Sequence, residues 1–185
     1  MSGSTPCHTN LSTEKSKVSP MKKVIISVLV LFSLVSCIKE KQIDAELVVG
    51  DSIPDFTVVM NDGTQLTGSQ LRQGISYIVF FTTECPDCKE VLPHIQELYN
   101  EYSSKGVQFA LISREDGPSS VADYWNEKKY TMPYSAQSDR TIYELFAKTR
   151  VPRVYLCKDG VIKAIFTDQP SNPTYYDMKD ALESL

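Results

Sequence analysis

The chain predicts a single α/β domain, a sheet covered by helices, and three observations carry that prediction. Tyr77-Ile78-Val79-Phe80-Phe81-Thr82 is apolar at every position but the last, as in a strand covered on both faces. The segment after Cys85 changes to helical period, with Val91, Leu92, Ile95, Leu98, Tyr99 and Tyr102 on one stripe. A second apolar run, Val107 to Ile112, follows, so the three pieces form a strand–helix–strand unit of the kind that builds α/β sheets.

The other elements fall in order around that unit. Phe56 to Met60 reads as a short strand, Asn61-Asp62-Gly63 as a turn, and Gln65-Leu66-Thr67 as the strand that pairs back, an entry β-hairpin. Pro93 lies inside the first long helix and predicts a kink, and Gly106 ends it. Ser119 or Ser120 is placed to cap a helix carrying Val121, Tyr124 and Trp125, and Asp139 to cap another with Ile142, Leu145 and Phe146 inward. Val154 to Cys157 and Val161 to Phe166 flank Lys158-Asp159-Gly160 as a second hairpin. Pro173 opens a last helix with Tyr175, Met178, Leu182 and Leu185 on one face.

Upstream of the domain the pattern is one of export. Met21-Lys22-Lys23 is positive, Val24 to Val35 is apolar and short for a membrane span, and Leu34-Val35-Ser36-Cys37 closes it. This stretch resembles a bacterial lipoprotein signal, which implies cleavage before Cys37, lipid on its thiol, and attachment to a membrane. An unlipidated secretory signal or an uncleaved anchor are the alternatives. The expected organisation is an upstream extension over 1–20, with Met21 as the start of translation and no role for Cys7 or His8. A signal peptide over 21–36, a charged tether over 37–47 and the domain over 48–185 follow. A net charge of −4 without a basic cluster excludes nucleic acid as a partner.

The chemistry is concentrated in Cys85-Pro86-Asp87-Cys88, set between the apolar strand and the helix. The first turn of a helix holds backbone N–H groups without partners and partial positive charge, which together favour a thiolate. Pro86 suits the first helical position because its missing N–H would have had no partner there. The two-residue spacer lets Cys88 reach Cys85. The competing readings are a structural disulfide or half a zinc site. For the latter, only His94 and Cys157 remain, without ligand spacing, so no metal or other cofactor is expected. His94 and Cys157 read as structural residues.

The order of motifs resembles the thioredoxin fold, and within it the TlpA/ResA-type membrane-tethered thiol–disulfide oxidoreductases. It rests on Gly50-Asp51-Ser52-Ile53-Pro54-Asp55-Phe56, the strand into Cys85-Pro86-Asp87-Cys88, Pro93, Val151-Pro152, and Lys158-Asp159-Gly160. The resemblance implies a thioredoxin-like central mixed sheet flanked by helices with an N-terminal β-hairpin, and a redox-active Cys85–Cys88 disulfide. It implies that Val151-Pro152 is a cis-proline loop facing the cysteines, where the Val151 backbone pairs with an extended partner segment. It also implies a reductant of exported protein disulfides, drawing electrons from a membrane or periplasmic donor and serving cytochrome c maturation or thiol repair. The chain departs from the family at three positions. Val91 stands where a glutamate is common, Val79 where thioredoxins bury an acid, and Arg153 where a threonine is common. Arg153 is expected either beside the cysteines, favouring a Cys85 thiolate or binding a partner carboxylate, or in solvent. Glu84 and Asp87 disfavour a thiolate.

Two other functions compete. Thr82-Thr83-Glu84-Cys85 resembles part of a peroxiredoxin motif, but Ile78 stands where that motif has proline. The second is a non-enzymatic lipoprotein whose cysteines only staple the fold.

Overall fold

The computed structural model describes residues 46–185; the expected extension, signal peptide, Cys37 and most of the tether lie outside them. Five strands form the central sheet in the order β5-β4-β3-β6-β7: β3 (Ile75–Phe81), β4 (Gln108–Ser113), β5 (Tyr134–Ser135), β6 (Arg153–Lys158) and β7 (Val161–Phe166). β3 runs parallel to β4 and antiparallel to β6, so the sheet is mixed. The entry hairpin is a separate antiparallel pair, β1 (Thr57–Val59) and β2 (Gln65–Thr67), in the register Val58↔Leu66.

β3 is buried on both faces because each face has its own cover. Tyr77 donates its hydroxyl to the Met178 carbonyl at 2.7 Å, and Phe81 packs against Trp125 with tilted rings whose centroids are 5.0 Å apart. That face lies under the helices α2 (Pro86–Tyr102), α3 (Pro118–Lys128) and α4 (Tyr175–Glu183). Phe80 points the other way, into Tyr143, Phe146 and Tyr155. Phe56 closes on Phe146 edge-on at 5.5 Å, so the entry segment covers the second face.

Several expected element boundaries move, each for a local reason. A four-residue helix, α1 (Gly68–Leu71), follows β2, opened by a reciprocal capping box between Thr67 and Gln70. α3 starts at Pro118 with Gly117 as its N-cap, so Ser119 and Ser120 lie inside the first turn rather than capping it. The helix expected after Asp139 is a single 3₁₀ turn, Tyr143–Leu145, and Asp139 accepts instead from the Thr141 N–H. Tyr143 is spent there on holding a loop, as described below. α4 opens on Thr174, which forms a capping box with Asp177, rather than on Pro173. The long helix ends at Tyr102 and runs on into a 3₁₀ turn, Ser103–Lys105, which Gly106 closes with φ +91°, a left-handed conformation that residues with a Cβ rarely adopt. Leu47 is 5% exposed and its N–H donates to the Phe146 carbonyl, so Glu46 and Leu47 belong to the domain rather than to the tether.

Candidate active site

β3 delivers the chain to the mouth of α2, and the two cysteines inherit opposite environments from that geometry. Cys85 is the N-cap residue, extended at φ −72°, with Pro86 at the first helical position. It is partly exposed, whereas Cys88, one turn in, is fully buried among core side chains. Burial pushes the Cys88 thiol far above its ordinary range, because a thiolate there would lose its hydration. Cys85 and the Asp87 carboxylate add to that rise, and a backbone hydrogen bond from Thr82 works against it. Both cysteines are thiols in this structure.

Three loops face this turn. The Val151–Pro152 peptide is cis, and the Cys85 thiol donates to the Val151 carbonyl at 3.4 Å. Asp116 accepts from the Thr83 N–H at 2.6 Å and so fixes the approach to Cys85. Asn172, from the loop before α4, donates its amide to Asp87 Oδ1 at 3.0 Å and Glu90 Oε2 at 2.9 Å. Asp87 is therefore a tethered carboxylate on the first turn. Glu90 faces the same loop as Asp87, while Val91 is fully buried. Glu84 is exposed and lies 3.7 Å from Lys89, a pair held too loosely in water to count for much.

Arg153 occupies neither expected position. It is 6% exposed, and its guanidinium donates to Glu46 Oε2 at 3.0 Å and to the Tyr155 hydroxyl at 3.4 Å. A strand residue directs alternate side chains to opposite faces, and Arg153, paired with Phe80 on β3, is turned to the Glu46 side. Its charge is spent on an internal carboxylate rather than on the thiol or a partner. Cys157 is buried in β6, with its thiol pushed up to about 12 by burial, consistent with a core residue. His94 is half-buried on α2 with Nδ1 unpaired among the described residues.

Glu46, Asp116, Tyr143 and Asn172 gave no sequence signal as site residues. Asp116, Asn172 and Glu46 bond residues 33 to 107 positions away, and Tyr143 serves carbonyls six and seven positions on; no local motif encodes such contacts. Among the described residues no helix is long and apolar enough to cross a membrane.

Residues 48–183 match the Redoxin family. The thiol–disulfide oxidoreductase ResA of Oceanobacillus iheyensis is 28% identical over 148 residues, spanning 77% of this chain and 76% of that protein. The thioredoxin domain of a thiol–disulfide oxidoreductase from Bacteroides vulgatus superposes with a TM-score of 0.65 at 17% identity, covering 75% of this chain and 98% of that one. A thio-disulfide isomerase from Thermus thermophilus superposes with a TM-score of 0.59 at 25% identity, covering 75% and 96%. A mixed sheet with two thiols at one helix mouth thus has both the fold and the relatives of thiol exchange. The chain belongs to the Redoxin family, and it is a thioredoxin-fold thiol–disulfide oxidoreductase similar to ResA.

Proposed function

We propose that this oxidoreductase reduces disulfides of exported proteins through Cys85 and Cys88, with Cys85 as the attacking thiolate. The single observation that carries the assignment is the asymmetry of the pair: Cys85 is partly exposed at the helix mouth, and Cys88 is sealed behind it. In the exchange, Cys85 sulfur bonds to one partner sulfur, and the other partner sulfur leaves as a thiolate. Cys88 then attacks Cys85 sulfur, loses its proton, and expels the second partner thiolate. Two electrons pass to the partner, and the domain ends as the Cys85–Cys88 disulfide. A thiol donor in the membrane or periplasm returns the electrons. The backbone at Val151, whose carbonyl already meets the Cys85 thiol, is the surface on which an extended partner segment would lie.

The lipoprotein-like stretch ending at Cys37 supports a lipid anchor and a periplasm-facing domain. Mass spectrometry of the mature protein should find acylated Cys37 at its N-terminus; an intact Met1 or Met21 on a soluble protein would refute the anchor. The exchange itself is tested by Cys88→Ser in cells, which cannot resolve the mixed disulfide. Exported proteins should be captured on Cys85. Capture that persists in Cys85→Ser, or peroxide consumption in place of protein reduction, would refute the assignment.

A further inference from the structure

Glu46 lies at the start of the folded domain, yet its carboxylate is bonded on both sides of the Val151–Pro152 loop. Oε1 accepts from the Lys148 N–H, the Thr149 N–H and the Thr149 hydroxyl, each at 3.1 Å. Oε2 accepts from the Arg153 guanidinium at 3.0 Å. One carboxylate therefore grips residues three and two positions before Val151–Pro152 on one limb, and the residue directly after it on the other. The grip is anchored in the core. The adjacent Leu47 is buried and donates its N–H to the Phe146 carbonyl, while Arg153 also reaches the Tyr155 hydroxyl, which itself donates to the Phe146 carbonyl. The Tyr143 hydroxyl closes the arrangement from beneath, on the carbonyls of Thr149 and Arg150. Within the loop so held, the Val151 carbonyl meets the Cys85 thiol.

We infer that Glu46 is the positioning residue of the partner-binding loop: it sets where the Val151 backbone stands relative to Cys85. This rests on the proposed exchange at Cys85 and extends it to how the partner is held. Arg153 supplies the counter-charge on the far limb, which accounts for a buried arginine beside the site. The carboxylate is ionised across the working pH range, held to a pKa of about 2 by the loop N–H groups and the guanidinium against the opposing effect of burial.

A disulfide inside an extended peptide needs the loop backbone, whereas a small disulfide such as hydroxyethyl disulfide needs only the thiols. The two substrates therefore separate positioning from chemistry. Glu46→Ala alone would strand the Arg153 charge in the core, so the informative pair is Arg153→Met against Glu46→Ala/Arg153→Met in the full chain. Arg153→Met keeps the Lys148 and Thr149 bonds; the double variant loses them without leaving a buried charge unpaired. The double variant should raise KM for the peptide about fivefold or more over Arg153→Met, while the rate with the small disulfide stays within about twofold. Equal KM values in the two variants, or a small-disulfide rate that falls in step with the peptide rate, would overturn the inference. Thermal melts confirm that both are folded. Peptide reduction surviving Cys85→Ser would overturn the exchange reading and this inference with it; failure at Glu46 alone leaves that reading standing.

Discussion

The burial of Cys88 predicts that the second half of the proposed exchange is pH-limited, with a definite slope. In the mixed disulfide Cys85 carries no charge, so its contribution to the high Cys88 pKa is gone. The desolvation of a fully buried thiol, the largest cause, remains. Below such a pKa the thiolate fraction grows about tenfold per pH unit, and the thiolate is the species that attacks. Release of the partner from a preformed mixed disulfide should therefore accelerate by about a hundredfold between pH 6 and pH 8, with no plateau in that range. The sign follows from the raised pKa: deprotonation is what the buried site resists, so alkaline conditions help. The assay forms the mixed disulfide on Cys85 with a chromogenic thiol at acid pH, jumps the pH, and follows thiol release by stopped flow. A log-rate slope below about 0.3 per pH unit would refute the reasoning, since it would mean that a neighbouring base already takes the proton. Asp87→Asn removes a charge that opposes the Cys88 thiolate, so it should raise the release rate severalfold without changing the slope.

Two further outcomes follow from the same geometry. Iodoacetamide at neutral pH should label Cys85 first, with Cys88 and Cys157 protected until the domain unfolds, as peptide mapping would show; preferential labelling of Cys88 would reverse the assignment. Tyr143→Phe removes the hydroxyl that serves the Thr149 and Arg150 carbonyls at 2.6 and 2.7 Å. It should cost about 1–2 kcal/mol by urea unfolding, a fall of roughly 3–8 °C in Tm, and a loss under about 0.3 kcal/mol would show that solvent serves those carbonyls equally well.

What the sequence made legible was local. The apolar run Tyr77–Phe81 of β3 announces a covered strand, and the proline after Cys85 announces a helix mouth, because each signal is written in adjacent residues. The Asn61-Asp62-Gly63 and Lys158-Asp159-Gly160 turns are equally self-contained, and both hairpins form. Other local signals sit at the helix ends. The Thr67–Gln70 and Thr174–Asp177 spacings are capping boxes, and Pro118 is a better helix opener than the serines that follow it. The strand β5 has only two residues and carries no period to detect. The segment from Asp139 to Phe146 has helical spacing, but Tyr143 must turn its hydroxyl to the Val151 loop, and a 3₁₀ turn is what results. Arg153 is not legible locally. An arginine reads as exposed or site-facing until its counter-charge is known, and Glu46 is 107 residues away in a stretch that looks like linker.

Under the proposed function, Cys85 and Cys88 form a reversible two-electron couple poised to reduce. Equilibration of the full chain against glutathione buffers, with acid quench and mass mapping of the peptide that contains both cysteines, measures it directly. A single disulfide should form within that peptide with a midpoint on the order of −250 mV, near the thioredoxin end of the range. Absence of a disulfide there, or a midpoint above about −160 mV, would contradict the claim, because such a couple would donate disulfides rather than remove them.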